Sequence, residues 1–141
     1  MDRERLAQQL THDYGHRLTV EEHAGHRYVG VQHRCEGEGF SAGAVITSLQ
    51  SAQLLHQDIE AAWQGVLSLW PEAEAWPELS QQVAAWLTFS VGARVLQTAR
   101  TFVAAVQQRA WAEAATALEQ SAWAHHHWAQ AGRLVAWLRA L

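Results

Sequence analysis

Residues 12–31 read HDYGHRLTVEEHAGHRYVGV, and their reading decides the fold. Ahead of them, Leu6, Leu10 and Tyr14 recur every four residues with Ala7 beside them. That period predicts one amphipathic helix over residues 2–14, stopped by Gly15. RLTVE then predicts a strand, EHAG a turn and HRYVGVQ a second strand. Two strands alone are marginal in water, so this hairpin must pack on something else.

Working outward, residues 34–46 hold Gly37, Gly39 and Gly43 and read as a loop. Thr47 is a good N-cap, followed by Leu49, Ala52, Leu55, Ile59, Ala62 and Val66 at helical spacing as far as Trp70. The helix is expected to run for roughly 22 residues, or about 33 Å at 1.5 Å per residue, and Pro71 bounds it. PEAEAWP makes a turn. Further helices are expected at about 78–90, 94–108, 111–120 and 130–140, with Gly92 separating the first two. The fold class is α+β and mainly helical. Its parts are a hairpin lobe at about 1–46, a connecting helix at about 47–70 and a helical lobe at about 71–141, in a single domain with a cleft expected between the lobes.

Composition narrows the function. The 141 residues are 49% hydrophobic and 17% charged, as in a globular chain. The net charge of −4 supplies no basic field, so nucleic acid is not an expected partner. All ten basic residues are Arg. No apolar run is long enough to span a membrane, and MDRERLAQQL lacks the apolar core of a signal peptide. Cys35 is the single cysteine, which rules out an internal disulfide. The eight Trp are expected mostly in the core, with some left for a cleft or an interface.

Histidine is the loudest signal, yet no metal site and no cofactor is expected. His12 and His16 are four apart, but Gly15 ends the helix between them. His23, His26 and His33 lie in or near the hairpin without an H-E-x-x-H or paired cysteines. Consecutive helical residues point about 100° apart, so His125, His126 and His127 do not converge on one ion. Carboxylates are the other candidates, because glycoside hydrolysis needs a protonated acid and a second carboxylate opposite it. Asp13, Glu21 and Glu22 lie in the right neighbourhood. No G-x-S-x-G or phosphate-binding loop occurs.

Three segments together resemble the phage-type lysozymes (glycoside hydrolase family 24, the bacteriophage T4 lysozyme type). YGHRLTVEEHAGHRYVGVQH is similar to that family's E-G-x-x-L, hairpin and T-x-G-x-G-H region. VITSLQSAQLLHQDIEAAWQGV resembles its I-T-x-x-x-A-x-x-L-x-x-D-V stretch on the helix between lobes. FSVG, followed by FVAAVQQRAWAEAATALEQSAW, resembles its F-N-x-G, then W-x-E-A-A and S-x-W. The likeness runs from about residue 6 to the end of the chain.

The resemblance implies a lysozyme-like two-lobe fold with altered catalytic positions. Tyr14 stands at the family's acid position, Glu22 (with Glu21 one step away) at its carboxylate position, and Tyr28 at its threonine position. A phenol, with an ordinary pKa of about 10, is a poor proton donor to a departing sugar oxygen. Two tyrosines would also occupy the volume that a sugar ring and a water need. The expectation is therefore a catalytically degenerate protein of phage origin. It would be a structural component of a tail, baseplate or related injection machine, with other phage structural proteins as partners. It would be virion-associated, or in the bacterial cytoplasm before assembly.

Two other readings stay open. In one, a peptidoglycan-binding module holds glycan through Tyr14, Glu21, Glu22, Tyr28 and His33 without cutting it. In the other, an active muramidase works with a rebuilt site, using Glu22 or Glu21 with Asp13 or a histidine.

Overall fold

A computed structural model describes residues 1–141. The chain is mainly helical, with eight α-helices and one small antiparallel sheet of order β1-β2-β3. It divides into two compact units, Arg3–Ala61 and Met1–Asp2 with Ala62–Leu141.

The first unit opens with α1, Arg3–Tyr14, which buries Leu6, Ala7 and Leu10 on one face. Gly15 stops it in the left-handed region, φ 69°, and its N–H donates to the Thr11 carbonyl at 2.8 Å. Strands β1 (Arg17–His23) and β2 (His26–Gly30) follow. The turn between them is only Ala24–Gly25, both at positive φ as a type I′ hairpin requires. Glu22 is therefore a strand residue, not a turn residue as EHAG suggested.

A further strand, β3 (His33–Arg34), pairs with β2 where a loop was expected. The rest of that loop is not idle either. The β1–β2 register slips between Arg17 and Glu21, and the freed residues turn to the 43–46 segment. There the Val20 N–H donates to the Ala44 carbonyl and the Ile46 N–H to the Leu18 carbonyl, each at 2.8 Å. Val20, Val29, Cys35 and Ile46 form the core beneath, joined by Leu18, Phe40, Ala44 and Leu54. This is the packing that a bare hairpin lacks.

Helix α2, Ser48–Leu69, has the expected length and start. The Gln50 N–H donates to Thr47 Oγ1 at 3.0 Å and the Thr47 N–H to Gln50 Oε1 at 2.8 Å, a reciprocal capping box. Ser51, Leu55 and Ile59 are its buried residues in the first unit; Ala62, Trp63 and Val66 are those in the second.

In the second unit a single 3-10 turn, Ala73–Ala75, leads to α3, Glu78–Val91. Nine consecutive residues of α3, Ser80–Thr88, are buried, which marks it as the central helix of the unit. Its amide nitrogens are tied down: Gln81 Nε2 donates to the Ala73 carbonyl at 2.8 Å, and Gln82 Nε2 to the Asp2 carbonyl at 2.7 Å, while Gln82 Oε1 is buried without a partner. At Gly65 of α2 a Cβ would stand 2.8 Å from Thr88 Cγ2, so the two helices approach as closely as glycine allows.

The expected single helix over 94–108 is two, α4 (Ala93–Gln97) and α5 (Arg100–Gln107). Helix α6 (Trp111–Glu119) packs against α5 and against α8 (Trp128–Arg139). A short α7, Ala122–His126, capped by Ser121, was not expected. Trp63, Trp70, Trp76 and Trp86 are buried, and Trp70, Trp76, Phe102 and Trp111 form a cluster in which Trp70 meets Phe102 and Trp76 meets Trp111 edge to face and Trp70 lies tilted on Trp76. Trp128 is 80% exposed. No helix is long and apolar enough to cross a membrane.

Candidate functional site

The sequence candidates in the hairpin separate onto two faces of the sheet. Glu21 lies directly across from Tyr28, and Glu22 directly across from Arg27. Successive strand residues point to opposite faces, so Glu21 and Tyr28 share one face and Glu22 takes the other.

On the first face is a concavity of about 290 Å³. Tyr14 reaches it from the end of α1 because Gly15 reverses the chain there, and Tyr28 reaches it from β2. Both rings are half-buried. Arg17, Glu21, His23 and Gln32 complete its polar edge. Glu21 is the one carboxylate lining it, and an Nη1 of Arg17 is ion-paired with Glu21 Oε2. The pair is exposed on both sides. A catalytic acid must hold its proton in an apolar pocket away from cations, and Glu21 has a guanidinium on it instead.

Glu22 accepts from Arg27 Nε at 3.2 Å on the opposite face. The same arginine donates through Nη1 to the Phe40 carbonyl at 3.2 Å, and its backbone N–H donates to Glu36 Oε1 at 2.8 Å. Glu36 also accepts from Arg34 Nε at 3.0 Å and lies 2.9 Å from His26 Nδ1. Desolvation on its own would raise the Glu36 carboxyl, but the backbone N–H groups, Arg34 and His26 together hold it down at about 2. Asp13 accepts from Gln9 Nε2 at 3.2 Å and does not line the concavity.

His33 is not among the lining residues either. Its Nδ1 lies 2.7 Å from Asp58 Oδ2 on α2, and its Nε2 lies 3.0 Å from Glu38 Oε1. An imidazole flanked by two carboxylates bonds to both only when each nitrogen carries a proton. The hydrogen bond to Asp58 is the main cause that raises its pKa to about 9, working against desolvation and helped by Glu38. His33 is therefore a charged link between β3, the glycine-rich loop and α2, with 11% of its side chain exposed.

No group of three His, Cys, Asp or Glu side chains is placed to hold a metal ion. His125 and His126 end α7 exposed, while His127 stacks on Trp123 with ring centres 4.9 Å apart. Burial raises the pKa of the Cys35 thiol, which keeps it protonated and unreactive.

Several members of these networks were invisible as site residues in the sequence, Arg27, Arg34, Glu36 and Glu38 among them. Arg17 and Gln32 carried no signal of their own. Asp58 lay within the quoted α2 stretch, but its partner is 25 residues away on another element. No protein-family model matches the chain, and no curated protein sequence matches it.

Proposed function

We propose that this is a lysozyme-like protein of phage origin that no longer hydrolyses glycan and serves as a structural component of a tail, baseplate or related injection machine. The order of helix, hairpin, long capped helix and helical unit supports the lysozyme-like frame. One observation carries the loss of hydrolysis: the hairpin concavity offers two tyrosines and a single, arginine-bound carboxylate. Glycoside hydrolysis uses two carboxyls on either side of the scissile bond, roughly 5 to 9.5 Å apart according to mechanism. Glu22 does not supply the second, since it faces the other side of the sheet. The scaffold without the acid pair is what a retained assembly part would look like.

A second reading, glycan binding without cleavage, is favoured by the same pair of half-buried tyrosines. Aromatic walls with a few polar groups at the edge are the usual make-up of a small-ligand site.

Purified sacculi separate the readings. The protein is expected to leave a turbid suspension unchanged and to stay in the supernatant on sedimentation. Co-sedimentation that Tyr28→Ala abolishes would move the assignment to glycan binding. Clearing of the suspension would overturn the proposal outright. The assembly role is checked by mass spectrometry of purified particles, where the chain is expected in fixed stoichiometry with tail proteins. Its absence from them would sink that role.

A further inference from the structure

A second concavity, of about 600 Å³, lies entirely within the helical unit. Leu87 of α3, Phe102 of α5 and Leu118 of α6 are buried in its walls, and Trp123 of α7 is half-buried beside them. The break between α4 and α5, at Thr98–Ala99, lies in the wall as well. Two helices of only five residues, α4 and α7, contribute Val95, Leu96, Ala122 and Trp123 to the walls.

One charged residue lines this apolar concavity, Arg100. It is exposed, and its guanidinium makes no ion pair and no side-chain hydrogen bond. Arg3, Arg17, Arg27, Arg34 and Arg139 are ion-paired, while Arg94 and Arg109 are open like Arg100; what sets Arg100 apart is its place in the wall of the concavity. A cation left open beside apolar walls selects for the opposite charge joined to a hydrocarbon.

From this juxtaposition we infer that the helical unit carries a binding site for a single-chain amphiphile with a carboxylate head. The chain lies against Leu87, Phe102, Leu118 and Trp123, and the head meets Arg100. The volume falls within the roughly 300–1,000 Å³ usual for small-ligand sites. The walls are mainly apolar, with Thr98, Thr101, Gln120 and Ser121 as their neutral polar members, which suits an acyl chain better than a sugar. Guanidinium and carboxylate match as a two-pronged, charge-assisted pair, while a cationic head would be repelled. This site is independent of the hairpin concavity and of the role proposed above.

The test titrates dodecanoate, below its micelle concentration, into the full chain by calorimetry, with the Trp123 indole N–H followed by NMR. Saturable one-to-one binding that shifts the Trp123 signal is expected. Dodecyltrimethylammonium should bind at least about tenfold more weakly, since a favourable ion pair is replaced by repulsion. Arg100→Gln should weaken dodecanoate by about tenfold and erase the preference between heads. Because Arg100 is exposed and unpaired, that variant should unfold at the wild-type temperature, so a loss of binding reports the site and not the fold. Absence of saturable binding, equal affinity for the two heads, or an unaltered Arg100→Gln variant would each overturn the inference. Flotation with phosphatidylglycerol vesicles without binding of monomeric dodecanoate would also overturn it, in favour of a bilayer surface as the source of the anion.

Discussion

The Nδ1 of His33 lies 2.7 Å from Oδ2 of Asp58, so a two-residue strand and the long helix are joined by one charged hydrogen bond. The pH dependence follows from its direction. The folded-state pKa of His33 is about 9, raised from an ordinary 6.5. A raised pKa means that the folded state holds the proton more tightly, so the stabilisation is complete below pH 6.5 and is lost as pH climbs through 9. The unfolding free energy read from urea titrations is expected to fall between pH 6.5 and 9.5, by about 2 kcal/mol after allowance for partial solvent access. His33→Gln should lower the midpoint at pH 6 and flatten the curve over that window. A wild-type midpoint that is level from pH 6 to 9.5 would show the link to be unimportant.

Glu36 acts at the other end of the scale. Its carboxyl is held at about 2, below the ordinary 4.5, so its contribution is present above pH 4.5 and fades as pH falls toward 2. Glu36→Gln should reduce the acid-side loss of stability in a pH 2–5 series and leave the alkaline side unaffected. A variant whose acid limb superimposes on wild type would refute the assignment.

Gly65 is the point where α2 meets α3. An added Cβ would stand 2.8 Å from Thr88 Cγ2 and 3.3 Å from Ala93 Cβ. Alanine gains helix propensity of about 1 kcal/mol over glycine, while overpacking typically costs about 1–3 kcal/mol. Gly65→Ala is expected to destabilise by about 1 kcal/mol net. Adding Thr88→Ser removes the clashing methyl but keeps the hydroxyl that donates to the Ala84 carbonyl, and should restore part of the loss. A double-mutant cycle in thermal unfolding measures this; additive effects would mean that the helices separate freely.

The hairpin turn carries a non-glycine residue in the left-handed region, Ala24 at φ 50°. Asparagine tolerates that conformation better, and Asn-Gly is the preferred pair for a type I′ turn. Ala24→Asn should raise stability by about 0.5–1 kcal/mol, read as an increase in melting temperature. A decrease would show that the turn needs its small side chain for another reason.

Tyr14→Glu places a carboxyl where the resemblance to lysozymes would have it, but Tyr28 still stands across from Glu21 and Arg17 still holds Glu21. The variant is expected to leave permeabilised cells intact in a turbidity assay. Lysis by this single change would mean that the concavity already accepts and orients glycan.

The contrast between legible and hidden parts has physical causes. Thr47 and Gln50, Gly15 and the alternation of β2 are local signals, and local structure follows them. Strand β3 has two residues, too few to show a period, and the pairing of residues 18–20 with 43–46 depends on a register slip that no periodicity announces. The break at Thr98–Ala99 was hidden because Val95, Leu96, Phe102 and Val106 keep helical spacing across it without a glycine or proline. At the site, neighbouring positions on a strand already place Glu21 and Glu22 on opposite faces. Which face meets Tyr14 is set only when α1 and the hairpin pack. The partners of His33, five and 25 residues away, are likewise products of tertiary structure.

The hydrogen bond from Gln82 to the Asp2 carbonyl spans 80 residues of sequence. Helix α3 is the central helix of its unit, and one of its buried amides, which also donates to Glu78 Oε1 in the same helix at 2.8 Å, gains its second acceptor only when the N-terminus has come back to it. Closing so long a loop is a slow, entropically costly event, and contacts of this kind set folding speed. The helical unit is therefore expected to reach its final state late, with the Gln82 amide fully protected from hydrogen exchange only after residues 1–2 have docked. A bulky fusion ahead of Asp2 would be felt first in α3, far from it in sequence.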